Sequence, residues 1–318
     1  MNVPIRTTVL ALLIGMLAGC STKDLARFKA QLDRSQCNQW TPTMAIATTP
    51  PAPFDAAAVP AEVKAHFSPN SLHIAHAINV LPLLDDYMAH MQVPSTERSL
   101  EQRIQLLELR RTIAYHCDLA SLEISAVASE LDCEEEKVSQ MARHMEEVEA
   151  RTQSRLNVAA IVVGAMGAVI TGIHLSQDDN SDVDALGIGF GVAEAALGTA
   201  MLLSRERTEY THRRNALRII HEGTDPQGLF PASIWYCLVN PVPGAPADRT
   251  LRTELLNRWR EEGATVGDEA SLYLGDGGTY STEQLHTRAS MYDQLESTIK
   301  LVKQDLLQLV QELDTQDP

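Results

Sequence analysis

Between Pro94 and Pro226 the chain contains no proline. Proline ends helices because it lacks an amide donor and its ring clashes with the preceding turn. A stretch this long without one permits very long helices, and the side-chain pattern indicates where they run. Leu100, Ile104 and Leu107, then Leu122, Val127 and Leu131, then Val138, Met141, Met145, Val148 and Thr152 follow one another mostly in steps of three and four. That spacing predicts a coiled-coil-like seam. Nothing breaks the pattern before residue 157, so one helix is expected to run from about residue 98 into the apolar segment that follows.

That segment is "NVAAIVVGAMGAVITGIHL", residues 157–175, and a second apolar run, "ALGIGFGVAEAALGTAMLL", occupies 185–203. Each has 19 residues, about 28 Å as a helix, close to the roughly 30 Å hydrocarbon core of a bilayer. Ala160, Gly164, Ala168 and Gly172 recur every fourth residue, and Gly187, Gly191, Ala195 and Thr199 do the same on the second run. Small-residue stripes let helix backbones approach closely and are typical of helix contacts in membranes. In a water-exposed helix each Gly costs about 1 kcal/mol relative to Ala, so seven glycines need close packing to offset them.

Glu194 lies halfway along the second run. A carboxylate near a bilayer centre costs roughly 2.5 to 3.5 kcal/mol. A symmetric hairpin would set it level with Met166. Three settings suit it: the lining of a water-filled pore, a helix contact that neutralises it, or the surface of a water-soluble bundle. The turn "SQDDNSDVD" is acidic and the flanks carry Arg151, Arg155, Arg205 and Arg207. Entry into an inner membrane from outside would put the acidic tip inside, against the positive-inside rule. The reading favoured is a membrane-associated hairpin, and the competing one is a Gly/Ala-packed bundle core.

The N-terminus supplies an address. Arg6 precedes an apolar stretch, Val9 to Leu17, which is too short for a permanent spanning helix. The sequence then reads Leu17, Ala18, Gly19, Cys20. This resembles the lipobox of bacterial lipoproteins. The resemblance implies cleavage before Cys20, acylation of that residue and anchoring to membrane lipid, with residues 1–19 removed as a signal peptide. Ser21 follows instead of an inner-membrane-retaining Asp, so the outer membrane is the expected location. Several acyl chains anchor stably because each buried methylene adds roughly 0.8 kcal/mol.

Without Arg6, 25 basic side chains remain against 42 acidic ones, a net charge of about −17. Such a surface excludes nucleic-acid binding through basic patches. Beyond Cys20 the cysteines are Cys37, Cys117, Cys133 and Cys237. Export to an oxidising compartment favours two disulfides among them, in any of three connectivities. On one helix Cys117 and Cys133 would lie about 24 Å apart, too far to bridge. Each is therefore expected to pair with Cys37 or Cys237.

Residues 21–36 read as a short helix and 41–60 as an extended Pro-rich tether. Residues 71–91 read as helical with a break near Pro82. After the second apolar run, Leu203, Tyr210, Leu217 and Ile220 suggest a return helix. The segment 223–281 is loop-rich: "SIWYCLV" has strand-like composition, "RTLRTELLNRWREEG" is a short helix ending at Gly263, and "LYLGDGGTYS" reads as a hairpin turn. Ser281 with Gln284 forms a capping box. The last helix carries Tyr292, Leu295, Ile299, Val302, Leu306, Leu309 and Leu313 in coiled-coil spacing. The expected organisation is a signal peptide over 1–19 and an anchor with tether over 20–60. A helical domain over 61–222 contains the hairpin 157–203, followed by an insert over 223–281 and a C-terminal coiled-coil helix over 282–318. The fold class is mainly α: a long helical hairpin or coiled-coil bundle with an apolar glycine-zipper pair and a small β-containing insert.

Chemistry-bearing motifs are sparse. Asp178, Asn180, Asp182 and Asp184 alternate like the start of a calcium loop, but Val183 and Gly189 occupy the positions where an EF-hand needs Gly and Glu. His73 and His76 lie one turn apart with Asp85 and Asp86 nearby, without a fixed third ligand for zinc. "GIGFG" lacks nucleotide-loop spacing, and no hydrolase, zincin or P-loop motif occurs. No catalytic residue, metal or cofactor is expected, and the chain does not read as an enzyme.

The lipobox together with two glycine-rich runs joined by a polar turn is similar to the surface-exclusion (complement-resistance) lipoproteins, and the helices flanking an apolar hairpin resemble helical pore-forming toxins. Those resemblances imply a lipid-anchored, oligomeric envelope protein whose hairpin enters or assembles at the outer membrane. The alternative is a periplasmic scaffold lipoprotein that engages another envelope protein through its coiled-coil face, with the apolar runs as its core. The residues expected to matter are Cys20 for the anchor, Ala160, Gly164, Ala168, Gly172, Gly187, Gly191 and Ala195 for helix contact, and Glu194 as the polar residue of the hairpin.

Overall fold

The structure is a computed structural model that describes residues 21–32, 34, 37, 49–174, 181–212 and 214–316, without the side chains of 21–25 and 170–188. The lipobox with Cys20, and Asp178 and Asn180 of the acidic turn, lie outside the described residues. Among the described residues the fold is mainly helical, with eleven helices and one two-stranded sheet.

In chain order the helices are α1 (Ser21–Leu32), α2 (Ala61–His66), α3 (Pro69–Ala77), α4 (Leu81–Met91), α5 (Leu100–His174) and α6 (Ser181–Leu203). Strand β1 (Arg207–Thr211) follows, then α7 (Ala216–Glu222), α8 (Ala232–Val239), α9 (Leu251–Glu261) and α10 (Glu269–Leu274). Strand β2 (Gly277–Ser281) leads directly into α11 (Thr282–Thr315). As the missing prolines predict, α5 is one helix of 75 residues that continues into the first apolar run. Ser281 and Gln284 form the expected capping box: the Gln284 side chain accepts from the Ser281 amide at 2.9 Å, and Ser281 Oγ accepts from the Gln284 amide at 3.3 Å.

The chain divides into two compact units. The first comprises Met1–Gln36, Ser139–Thr208 and Tyr280–Leu285, and the second comprises Cys37–Val138, Glu209–Thr279 and His286–Pro318. In the second unit the first half of α5 runs antiparallel to α11. Arg110 pairs with Asp314 at 2.7 Å near one end, and Lys303 Nζ donates to Ser125 Oγ at 2.7 Å further along. The seam between them is apolar. Tyr292, Leu295, Ile299, Val302, Leu306, Leu309 and Leu313 are all buried, as their spacing predicts.

On α5 the expected seam holds only from Val127 onward, through Leu131, Val138, Met141 and Met145. Before that point the buried apolar residues are Leu106, Ile113, Cys117, Ala120 and Ile124, whereas Leu100, Ile104, Leu107 and Leu122 are exposed. The N-terminal part of α5 carries two apolar stripes, and the one that sequence periodicity selects faces solvent.

Three further expectations are corrected. "SIWYCLV" is not a strand but α8, a helix packed against α3 and α9 with Ile234, Tyr236, Cys237 and Leu238 buried. The β-branched and aromatic residues that raise its strand propensity are decided by tertiary burial. "LYLGDGGTYS" is not a local hairpin: β2 pairs with β1, more than sixty residues earlier in the chain. Gly277 adopts φ +106°, and a Cβ there would run into the Tyr210 carbonyl, so this residue has to be Gly. The segment after α6 is not one return helix, because β1 and the loop after it separate Leu203 from α7.

A single disulfide, Cys37–Cys133, is present among the described residues, with Cα atoms 5.5 Å apart. Cys117 and Cys237 are free and buried, so the second expected bridge does not form. Both pack as apolar core groups. Burial pushes the Cys117 thiol up to about 12 and the Cys237 thiol higher still.

Polar groups inside the second unit are tied by Arg288, one of its most deeply buried side chains. The guanidinium donates to the Tyr273 carbonyl at 2.6 Å, to Asn215 Oδ1 at 3.3 Å and to the Tyr292 hydroxyl at 3.1 Å. Asn215 in turn donates to the Tyr273 and Gly275 carbonyls, both at 2.9 Å. One cation thereby satisfies groups from α10, α11 and the start of α7. Burial, reinforced by the Arg288 charge, lowers the His212 pKa to about 3 against a backbone hydrogen bond to Leu272. Burial and the neighbouring His76 lower His73 to about 4.

The disulfide spans 96 residues of sequence, a loop for which chain entropy gives a stabilisation of roughly 4.7 kcal/mol. We expect Cys37→Ser with Cys133→Ser to lower the urea midpoint of the second unit accordingly, and an unchanged midpoint would show that the bridge carries no load. A pH effect follows from the two histidines, which stay neutral in the folded chain. Above pH 6.5 neither the folded nor the unfolded chain binds these protons, and stability is at its full value. As pH falls through 6.5 the unfolded chain takes them up first, so stability drops by about 1.4 kcal/mol per pH unit for each histidine, down to the folded-state values near 4 and 3. Urea unfolding at pH 7, 6 and 5 reads this slope, and His212→Asn should reduce it by one proton.

Candidate functional site

The first unit contains the apolar hairpin. On α5 the residues that turn inward are Leu156, Val163 and Gly167, with Ala160 and Gly164 half-buried beside them. On α6 Phe190, Ala193, Leu197 and Met201 are half-buried, in steps of three and four. Two close approaches fix the register. A Cβ on Gly167 would lie 3.1 Å from Phe190 Cβ and Cγ, and a Cβ on Gly164 would overlap the Glu194 carboxylate. The helices are therefore antiparallel, with Gly164 level with Glu194 and Gly167 level with Phe190. Glu194 does not sit opposite Met166, as a symmetric hairpin would have it, but lies across the bare backbone of Gly164.

The small-residue stripes are used unequally. Gly164 and Ala160 belong to the contact side of α5, while Ala168 is exposed. Gly191 and Ala195 are exposed, and a Cβ on Gly191 would meet nothing within 4 Å, as is also true of Gly189 and Gly198. Within one chain α6 approaches α5 through Phe190 and Glu194, and its Gly191–Ala195 stripe points elsewhere. Gly172 and Gly187 lie on the helices, and their surroundings are outside the described residues.

The outer surface of the hairpin is apolar. Val158, Ile161, Val162, Met166 and Val169 on α5, and Val192, Leu202 and Leu203 on α6, are all exposed, Ile161 at 70% and Leu202 at 80%. Single exposed apolar side chains are ordinary, but a run of this kind marks a surface with a function. Among the described residues no helix is long and apolar enough to cross a membrane. Both apolar runs extend into residues whose side chains are not described.

The base of the hairpin is held by Glu149, in the segment "HMEEVEA" of α5. Its Oε1 accepts from the Glu206 amide at 2.9 Å and from Thr282 Oγ1 at 3.2 Å. A carboxylate that accepts from a backbone amide makes one of the stronger hydrogen bonds available. It ties the chain leaving α6, and the start of α11, to α5. Nothing in the local sequence separates Glu149 from its neighbours Glu146 and Glu147, because its partners lie 57 and 133 residues away.

The second unit holds a half-open cavity of about 450 Å³ lined by Asn70, His73, Cys237, Arg249, Gln304 and Asp305 among others. Asp305 accepts from Asn70 Nδ2 at 2.9 Å, and burial raises its pKa despite that bond. The Cys237 thiol is held far from thiolate, the opposite of what a nucleophile needs. His73 and His76 pack around the Tyr236 ring, and His76 Nε2 bonds the Ala52 carbonyl at 2.7 Å. Among the described residues no group of His, Cys, Asp and Glu is placed to hold a metal.

Gly191 is in open space on a helix, so Gly191→Ala should raise hairpin stability by about 1 kcal/mol through helix propensity. Gly167→Leu should drive Phe190 off α5 and loosen the pair. Amide hydrogen exchange over 189–203 reads both effects, slower for the first and faster for the second. Faster exchange in Gly191→Ala would mean that Gly191 is itself tightly packed.

No protein-family model matches the chain, and neither does any curated protein or any solved structure.

Proposed function

We propose that this chain is a non-enzymatic, lipid-anchored envelope protein. Acyl chains on Cys20 hold it at the outer membrane, and its glycine-rich hairpin inserts in or assembles at that membrane as an oligomer. The observation that carries this reading is the exposed apolar surface between Val158 and Leu203.

Magnitudes support transfer of that surface out of water. Fully burying one large aliphatic side chain is worth about 1.5 to 3 kcal/mol, and eight such residues are half-exposed or more. Their combined gain exceeds the roughly 2.5 to 3.5 kcal/mol that one carboxylate costs at membrane depth. Glu194 lies against Gly164 instead of projecting freely, which keeps its carboxylate close to backbone. The exposed Gly191–Ala195 stripe has the composition of a close helix contact, and a neighbouring copy is the partner proposed for it.

The test removes the lipid. A Cys20→Ala variant exported by an ordinary signal peptide has only the hairpin to hold it in membranes. We expect it to resist carbonate extraction and to partition into detergent. Release as a soluble, monodisperse protein would overturn hairpin insertion and leave the apolar runs as the core of a scaffold.

A further inference from the structure

The stripe that periodicity selects on the N-terminal part of α5, Leu100, Ile104, Leu107 and Leu122, is exposed along its whole length, with Leu100 at 75% and Leu107 at 67%, and Tyr115, which the periodicity does not pick out, is exposed on the same face. At 100° per residue these side chains, together with Arg111 and Asp118, fall within an arc of about 80° on one face of the helix. The face belongs wholly to the second unit and is separate from the hairpin. Arg111 and Asp118 are both exposed and are the only charges on the arc. They sit one heptad apart and have opposite sign.

That arrangement is complementary to itself. If two copies of the helix pack antiparallel about a two-fold axis passing between residues 114 and 115, Arg111 of each copy lies level with Asp118 of the other. Leu107 then lies level with Leu122, and Tyr115 is beside its own symmetry mate near the axis. Glu108, at the edge of the arc, falls level with Ser121, so no like charges face each other. A parallel pair would set Arg111 against Arg111 and Asp118 against Asp118. Shifting the antiparallel pair by one heptad would set Arg111 against itself. Charged residues within an apolar seam fix register and orientation in this way, and a two-fold interface uses each complementary pair twice.

We infer that a second copy of this chain docks on the 100–122 face of α5 as an antiparallel two-fold pair. The inference does not rest on the hairpin reading. One stripe of about six turns is small for an interface, so the pair is a weak or transient one.

The test is cysteine cross-linking of the full chain in detergent, where lipid anchor and hairpin are both intact. Tyr115→Cys should give a disulfide-linked dimer. Leu107→Cys should not, because its symmetry mates lie about 22 Å apart along the helix. Arg111→Glu in the Tyr115→Cys background should cut the cross-linked yield roughly tenfold, since two attractive pairs become two repulsive ones. Adding Asp118→Arg should restore it. A Leu107→Cys dimer as abundant as the Tyr115→Cys one would overturn the antiparallel register. Absence of the Tyr115→Cys dimer, or no rescue by the double charge reversal, would overturn the interface and leave the face to a different protein. None of these outcomes depends on whether the Cys20→Ala variant stays in membranes.

Discussion

The constraint on which the described structure depends is that one uninterrupted helix must satisfy two different environments. Over 100–138 α5 has a buried stripe that α11 covers, and a polar remainder crossed by one further apolar stripe. Beyond Leu156 the helix is apolar on nearly every side, and among the described residues α6 covers only one of those sides. No proline or cap marks the change, because the backbone does not change. What changes is how much apolar surface each turn carries relative to what the chain supplies to cover it. In the second unit α11, α8 and the short helices around Arg288 supply enough to build a buried core but leave the 100–122 face of α5 bare. In the hairpin exposed apolar residues line both helices.

Much of this was legible in the sequence wherever a local pattern had one physical solution. The α11 seam from Tyr292 to Leu313, the Ser281–Gln284 capping box, the break before Pro82 and the continuity of α5 all follow from spacing, capping chemistry and the absence of proline. The N-terminal part of α5 was misread because it has two apolar stripes of similar strength. Periodicity reports that a helix is amphipathic but not which of two faces is covered, and here Ile113, Cys117 and Ile124 were covered instead of Ile104, Leu107 and Leu122. α8 was misread because its strand propensity is a weak preference that burial between α3 and α9 overrides. The β1–β2 pairing, the Glu149 ties and the link from Arg288 to Asn215 were invisible because those partners are dozens of residues apart.

The candidate site was legible in composition and not in geometry. The glycines announced a helix contact, but sequence gives no way to know that Gly164 would receive a carboxylate and Gly167 an aromatic ring. The α5 side behaves as a small-residue stripe should, since a Cβ on Gly167 would press on Phe190 at 3.1 Å. On the α6 stripe Gly191 has no such neighbour among the described residues. The same logic applies to the cysteines. Oxidising conditions favour bridging, but geometry decided that Cys37 meets Cys133 and that Cys117 and Cys237 remain core groups.

The two exposed apolar surfaces differ in a way that bears on what each can recognise. The 100–122 face carries Arg111 and Asp118 among its apolar residues, and a charged residue within a seam penalises every partner that does not place the opposite charge beside it. Such a face is selective and weak. Among the described side chains from Val158 to Leu203 the hairpin carries Glu194 as its one exposed charge, so that part of the surface has little with which to discriminate one apolar partner from another. A surface that gains from burial but specifies no register suits a fluid apolar medium, or packing governed by backbone approach at small residues. A chain with a net charge of −16 also opposes casual self-association through long-range repulsion. Contacts between copies therefore need either paired charges, as on the 100–122 face, or exclusion of water over a large apolar area, as on the hairpin. Each surface has one of these two means, and neither has both.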